Sequence, residues 1–552
     1  MELVDKIAES VIGKDTAVET PFGLRRVTYA DYTASARSLG FIEDYIRDLV
    51  LPMYANTHTE TSGTGLQTTR FREEARDIIK ECVGASDDEH AVIFAGAGAT
   101  GAIDRLIGIL GLRIPANLDE AYRLSDAIGP DERPVVFVGP YEHHSNELPW
   151  RESIAEVIEI NEDADGRIDL DELADRLAEH ADRPMRIGSF SAASNVTGII
   201  SDTKAVAELL HSHGALSFWD FAAAAPYVGI EMGSAASGEL DYKDAVFISP
   251  HKLIGGPATP GVLVARRDLL TNAVPAVPGG GTVQYVSPNR HRYVADHERR
   301  EEGGTPAIIG SIRAGLAFKL KEEVGVETIR RLERGFIRRA IKSWEANPNI
   351  EILGNHGAER LSIVSFVIRS GATALHHNYV VALLNDLFGL QARGGCSCAG
   401  PYGHRLLGID LETSSRFEDV IADGCEVIKP GWVRLNFNYF ISEKEFQYIL
   451  AAVHMTADHG RRLLPLYTFE TETGVWKHRD GRPTPAASLR DIGFADTSRL
   501  APATLPIEAL DQHLEEARRA LSDALPPDGD GPALSEAAEE LRWFPTPMEV
   551  GE

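Results

Sequence analysis

Six short apolar runs alternate with polar, helix-like stretches between residues 91 and 267, and nothing else restricts the fold of this chain so strongly. The runs are AVIFAG (91–96), PVVFVGP (134–140), RIGSFS (186–191), ALSFWD (215–220), DAVFISP (244–250) and GVLVARR (261–267). Among the intervening stretches, DELADRLAEH (171–180) and DTKAVAELLHSHG (202–214) carry helical periodicity. The second has Ser201 or Asp202 as N-cap and Gly214 as stop. Strands alternating with helices indicate βαβ units and a mainly parallel sheet, an α/β fold. After about residue 310 the pattern changes. A long helix is expected from Ile308 towards Glu323, linking two domains. Strands follow at NIEILG (349–354), LSIVSFVI (361–368) and WVRLNF (432–437), with helices near 378–388 and 442–457. The organisation expected is an N-terminal segment (1–60), a large domain (61–310), a smaller α+β domain (311–459) and an extension of unassigned role (460–552). Within that extension DALPPDGDGP (523–532) reads as a flexible linker.

A chain of 552 residues can bury a large core without metals or disulfides. Its 83 acidic and 55 basic residues give a net charge of −28, with no basic footprint for a phosphate backbone, so nucleic acid is not expected as a partner. The four cysteines, Cys82, Cys396, Cys398 and Cys425, are too few for a disulfide framework at this length. The start, MELVDKIAES, lacks the basic and apolar regions of a signal peptide, and no apolar run reaches membrane-spanning length. A cytoplasmic location without membrane association is the expectation.

Chemistry concentrates in a few segments. In ISPHKLIGGPATPGVLVARR (248–267) a strand ends in a polar turn that carries Lys252. Loops at the carboxyl ends of parallel strands are where such sheets place ligands, and a lysine there can form a Schiff base with pyridoxal phosphate. A solvated surface lysine would read the same from this segment alone. Asp220 ends the apolar strand LSFWD roughly 30 residues earlier. A buried carboxylate needs a partner, and a pyridinium nitrogen is one; a helix N-cap is the plainer alternative. FAGAGATGAIDRLI (94–107) is strand, small-residue loop and helix, a phosphate cradle whose spacing is neither Walker A nor a clean dinucleotide fingerprint. In GPYEHHSNELPW (139–150), His143 or His144 can stack on a cofactor ring and move protons, or serve as an ordinary loop histidine.

QARGGCSCAGPYGHRLLG (391–408) places Cys396 and Cys398 in a glycine-flanked loop, where Arg393 and His404 are expected to supply the cationic setting of a reactive thiolate. A metal site on Cys396, Cys398 and His404 would lack a fourth ligand at the usual spacing, and no metal is expected. Arg434, on the apolar strand of GWVRLNFNYF (431–440), suits bidentate capture of a carboxylate or a structural ion pair.

Taken in order, these segments resemble the class V family of fold-type I pyridoxal-phosphate enzymes, most of all its cysteine desulfurase and selenocysteine lyase branch. The resemblance runs from about Tyr29 to Ala457. It includes YADYTASA (29–36), ANTH (55–58), SNVTGII (194–200), PGGG (278–281) and EEGGTPAIIG (301–310). It implies a large, mainly parallel-sheet domain with a smaller α+β domain, and pyridoxal 5′-phosphate as cofactor. Lys252 would hold the cofactor and then shuttle the proton, Asp220 would pair with the pyridine nitrogen, and His143 would stack on the ring. Asn195 would approach the 3-hydroxyl and lie near the substrate. Ala99, Thr100, Ser249 and His251 would hold the phosphate, with Thr305 reaching in from the other subunit of a homodimer with shared active sites. Arg434, with Arg393, would bind the substrate carboxylate, and Cys398 aligns with the persulfide-forming cysteine.

The match departs from the family at Ala223, where the family usually has Gln. It departs again at Gly98-Ala99-Thr100-Gly101, where Gly-Thr-Thr-Glu is common, and at Cys396, which the usual loop lacks. The implied reaction is conversion of L-cysteine to L-alanine through a persulfide on Cys398, with a small amino acid as substrate and a sulfur-acceptor protein as a further partner. Cys396 would accept or resolve the sulfur. The family also includes aminotransferases, epimerases and C–S lyases acting on other amino acids, in which the cysteine loop would be a lid. A non-catalytic scaffold is the third alternative, disfavoured by the joint presence of Lys252, Asp220, His143 and Arg434.

Overall fold

The apolar runs are strands, and the burial of nearly all their residues explains why they read as continuous hydrophobic segments. The computed structural model describes residues 2–481, 487–494, 502–522 and 531–549. They fall into two units, Thr33–Arg331 with Gly357–Leu361, and Met1–Tyr32 with Leu332–His356 and Ser362–Glu552. Among the described residues no helix is long and apolar enough to cross a membrane.

The first unit is built on seven strands: β1 (His90–Ala95), β2 (Val135–Val138), β3 (Glu156–Glu159), β4 (Arg186–Ser191), β5 (Leu216–Asp220), β6 (Ala245–Ile248) and β7 (Gly261–Arg266). Their order across the sheet is β1-β7-β6-β5-β4-β2-β3. β2 to β6 pair in parallel, whereas β7 is antiparallel to both β6 and β1. Two antiparallel steps restore direction, so β1 ends at the same edge as the five parallel strands. Every residue of β1, β2 and β6 is buried, as expected for a sheet covered on both faces. The observed architecture is therefore the α/β, mainly parallel-sheet fold expected from the sequence, with β7 reversed.

Helices α1 (Gly63–Cys82), α2 (Gly98–Leu110), α3 (His144–Arg151), α4 (Thr203–Ser212) and α5 (Ile308–Val324) belong to this unit. α4 starts at Asp202, whose side chain accepts the Ala205 N–H at 3.1 Å. The expected helix from Ile308 is present, but it does not link the units. It lies wholly in the first one, and the boundary at residues 331–332 falls inside the next helix, Val326–Glu345. α5 is held by close approach to α1: a Cβ at Gly315 would stand 2.6 Å from the Ala75 Cβ and 2.7 Å from its Cα.

The second unit carries a five-stranded sheet: β8 (Ile350–Ile352), β9 (Ile363–Ser370), β10 (Thr373–Ala374), β11 (Arg393–Gly395) and β12 (Trp432–Asn436). The order is β8-β9-β12-β11, with β10 paired to β9, all antiparallel. Helices α6 (His377–Phe388) and α7 (Glu443–His459) cover it, and α7 opens with a Ser442–Glu445 capping box. The tail read from the sequence as a separate extension shares this core. Tyr467, Trp476, Leu510 and Phe544 are buried in one cluster with Phe388, Val433 and Phe446. Of the N-terminal segment, residues 1–32 join the same unit, whereas residues 33–60 belong to the first. Arg25 and Arg26 are each 3% exposed and paired with Glu516, and with Asp15 and Glu445, respectively. The linker expectation at 523–532 falls mostly outside the described residues.

The contact between α1 and α5 gives a test of sign. Gly→Ala in an open helix gains about 1 kcal/mol. Gly315→Ala is expected instead to destabilise by about 1–3 kcal/mol, because the new methyl overlaps the Ala75 backbone. The readout is a lower urea midpoint; an unchanged or raised midpoint would contradict the packing.

Candidate active site

The chemistry-bearing residues of the first unit gather where β1, β4, β5 and β6 end. Asp220, the last residue of β5, stands opposite Ser191 of β4 and Phe247 of β6 in the parallel register. It is 4% exposed, and its Oδ1 accepts the Ala222 N–H at 2.7 Å. Burial pushes its carboxyl above the usual carboxylate range, while the Ala222 amide and the charge of Lys252 act the other way. Lys252 ends the short turn Pro250–Lys252 that follows β6, with its N–H on the Ser249 carbonyl at 3.0 Å. The two residues singled out from separate strand ends are thus within electrostatic reach of each other.

Beside them the first turn of α2 forms an anion cradle. The Ala99 N–H donates to Ser249 Oγ at 2.8 Å, which leaves the hydroxyl proton for a ligand. Gly98 sits at φ +58°, and a Cβ there would come 2.8 Å from Ser249 Oγ and 3.0 Å from His251 Cε1. Only a residue without a side chain keeps this space open. His251 is neutral at ordinary pH, its pKa pulled down to about 4 by burial and then by Lys252. The helix N-terminus, Ser249, Thr100 and His251 together suit a phosphate. A buried carboxylate facing a lysine suits a protonated pyridine that carries an aldehyde. The residues present therefore fit pyridoxal phosphate.

His143 is tied to this cradle through Ser145, which the sequence reading did not single out. Thr100 Oγ1 and Ser145 Oγ are 2.7 Å apart, Ser145 Oγ lies 3.0 Å from His143 Nδ1, and the Ser145 N–H donates to the same nitrogen at 3.1 Å. An accepting Nδ1 puts the proton of the neutral ring on Nε2. Asn195 is 7% exposed in the turn after β4, and the start of that turn is held by the Ala192 N–H on the Asp220 carbonyl at 2.9 Å. Thr305 stands apart: it is exposed and accepts the Asn56 amide at 3.4 Å.

A second residue missed from the sequence is Glu142, which is 4% exposed. Its carboxylate accepts the Ser191 N–H at 2.8 Å, the Ser191 hydroxyl at 2.6 Å and the Asn146 amide at 2.6 Å. Ser189 and Trp150 Nε1 extend the network: Ser189 Oγ donates to Asn146 Oδ1 at 2.7 Å, and the indole donates to Ser189 Oγ at 3.1 Å. Burial pushes Glu142 up to about 7, the three donors oppose this, and the Asp220 charge adds to it. Its signal in the sequence was an acidic residue beside the His pair, one that pattern alone cannot tell from a solvated one.

In the second unit Arg434 lies on β12, 4% exposed, with Asp31 beside it and Arg393 opposite on β11. Burial lowers the Arg434 guanidinium, and Asp31 opposes this; Arg393 lowers it further and Cys398 raises it. Cys398 is exposed and Cys396 half-buried, with Ser397 and Cys398 at φ +52° and +57°. The expected cationic setting is corrected in part. Burial lowers the His404 pKa, so its imidazole is neutral near pH 7, and Arg393 is engaged with Asp31. Cys398 lies within electrostatic reach of Arg434.

Comparison with known proteins fits this geometry. A family model described as Aminotransferase class-V matches residues 28–417. A protein named "Probable cysteine desulfurase" from Halalkalibacterium halodurans is 27% identical over 384 residues, covering 68% of this chain and 84% of that one. One of the same name from Streptomyces coelicolor is 26% identical over 418 residues, covering 73% and 92%. Among solved structures, the apo cysteine desulfurase of Thermococcus onnurineus superposes with a TM-score of 0.62 at 23% identity, covering 78% of this chain and 95% of that chain. A cysteine desulfurase of Escherichia coli gives 0.60 at 21%, covering 78% and 94%. These two structures speak to the fold.

Glu142 predicts a pH dependence of stability. A carboxyl whose folded pKa lies near 7 keeps a proton that the unfolded chain has lost above its ordinary value. Stability from this group is complete below that ordinary value and declines as pH rises to about 7, by about 3 kcal/mol. Glu142→Gln is expected to remove this slope from urea midpoints measured between pH 5 and pH 8. A variant that keeps the slope would contradict the assignment.

Proposed function

The chain belongs to the aminotransferase class-V family, and from that premise we propose that it is a pyridoxal-phosphate-dependent cysteine desulfurase converting L-cysteine to L-alanine. The observation that carries the reading is the buried Asp220 carboxylate within reach of Lys252, beside a glycine-opened anion cradle. Ala99, Thr100, Ser249 and His251 would hold the phosphate, Asp220 the pyridine nitrogen, His143 the ring face and Asn195 the 3-hydroxyl. When bound, the cofactor supplies an electron sink that acidifies the α-carbon of the amino acid.

The chain's own groups do the rest. Lys252 Nζ takes the α-proton and returns it, with the Asp220 carboxylate beside it. Arg434 receives the substrate carboxylate and fixes its orientation. Cys398 Sγ, as thiolate, attacks the substrate sulfur. The new S–S bond forms as the C–S bond breaks, the electron pair of that bond stays with carbon, and carbon takes up a proton. Cysteine leaves as alanine and Cys398 carries the sulfur as a persulfide, which an external thiol or a sulfur-acceptor protein then removes. Electrostatic contact between Cys398 and Arg434 supports a thiol positioned at the substrate. Cys396, two residues away, would accept the sulfur from Cys398 or resolve the persulfide as a disulfide.

A homodimer with shared sites is part of the same reading. Thr305, exposed on its own unit, would serve the phosphate of the partner subunit. A cytoplasmic setting, in which free thiols persist, suits the four unpaired cysteines.

Cofactor-loaded protein incubated with L-cysteine and a thiol reductant is expected to release alanine and sulfide in equal amounts. Cys398→Ser is expected to lower both by about 10³-fold or more. Pyruvate and ammonia in place of alanine, or full turnover by Cys398→Ser, would move the assignment to a C–S lyase or aminotransferase acting without a persulfide.

A further inference from the structure

The antiparallel register of β11 and β12 sets Arg393 directly across from Arg434. Two guanidinium groups at one cross-strand pair repel each other unless an anion lies between them. Asp31 is that anion. Its Oδ2 accepts Arg393 Nε at 3.0 Å and lies 3.0 Å from Arg393 Nη2, and its Oδ1 accepts Arg434 Nη2 at 3.1 Å.

The backbone around Asp31 is held from both sides. Thr28–Tyr29 pairs in parallel with Leu390–Gln391, and the Ala30 N–H donates to the Gln391 carbonyl at 3.1 Å. Asn436, two residues beyond Arg434, donates its N–H to the Ala30 carbonyl at 3.0 Å and takes the Tyr32 N–H on its side-chain oxygen at 2.7 Å. The Asp31 side chain is 12% exposed, whereas that of Arg393 is 49% exposed. An exposed arginine next to a substrate-binding one would ordinarily be a second carboxylate receptor; here its guanidinium is already occupied.

We propose that Asp31 determines substrate class. By engaging Arg393 it leaves the three-group cluster with one net positive charge, matched to an amino acid that has a single carboxylate and a neutral side chain. Amino acids with a second carboxylate, such as aspartate, are turned away by the Asp31 oxygens, which already engage Arg393 through both Nε and Nη2. The inference rests on the reading of Arg434 as the receptor of the substrate carboxylate, and it adds that Asp31 acts through Arg393 and Arg434 as a positioning residue.

The test is calorimetric binding of two unreactive probes to the cofactor-loaded protein, 2-methylalanine with one carboxylate and 2-methylaspartate with two. Wild type is expected to favour the first. Asp31→Asn is expected to shift the ratio of the two affinities towards 2-methylaspartate by about tenfold or more, because the cluster then carries two positive charges. Arg393→Gln, which leaves no net charge, is expected to weaken 2-methylalanine by about tenfold. The double variant, back at one net charge, is expected to recover most of that affinity, a coupling that loss of structure does not produce. Equal weakening of both probes in Asp31→Asn, with no recovery in the double variant, would overturn the proposal. If 2-methylalanine fails to bind wild type, or binds Arg434→Lys as well as wild type, the reading of Arg434 itself is overturned and this inference falls with it.

Discussion

A carboxylate buried at the end of an apolar strand is the constraint from which the first unit is best understood. Asp220 is removed from water by the same packing that makes β5 a central strand of a covered sheet. Such a group is costly unless hydrogen-bond donors or a cation are brought to it. The parallel arrangement does this by ending β6 alongside β5, so that the turn after Ile248 carries Lys252 towards the carboxylate. The reversed strand β7 allows β1 to end at the same edge, which delivers the first turn of α2 and its cradle. Sheet topology, more than any local motif, assembles the site.

The second unit solves the converse problem. A pair of arginines is forced together by strand register, and one carboxylate from the N-terminal segment holds both. The segment's docking on residues 390–391 and on Asn436 is therefore tied to this arginine pair, and so is the sequence block YADYTASA that contains Asp31. The Cys396–Cys398 loop follows β11 directly, so the same ion pairs anchor the strand from which the cysteine loop departs.

Much of this was legible in the sequence, because a covered sheet leaves long apolar runs and a cofactor site leaves rare residues at their ends. Lys252, Asp220 and the 94–107 loop could be singled out for that reason. What could not be read depends on pairing between distant positions. Asp31 meets Arg393 and Arg434 some 362 and 403 residues away, and nothing local marks it as their partner. Glu142 and Ser145 sit in a quoted segment, yet their roles come from Ser191 and Thr100 on other elements. The orientation of β7 leaves no trace in composition. The polar tail looked separable because its Pro, Asp and Glu dominate the text, whereas its few large residues, Trp476 and Phe544 among them, complete the core of the second unit.

Lys252 is the lysine proposed to hold the cofactor, and two other lysines are its chemical rivals. Burial pulls the ammonium groups of Lys243 and Lys321 down to about 8, which makes both amines nucleophilic. The most direct test is borohydride reduction of protein loaded with pyridoxal phosphate, followed by peptide mass mapping. The expected result is one phosphopyridoxyl group per chain on the peptide that holds Lys252, lost in Lys252→Ala and reduced in Asp220→Ala. A label on Lys243 or Lys321, or one spread over surface lysines and indifferent to Asp220, would contradict the assignment of the site.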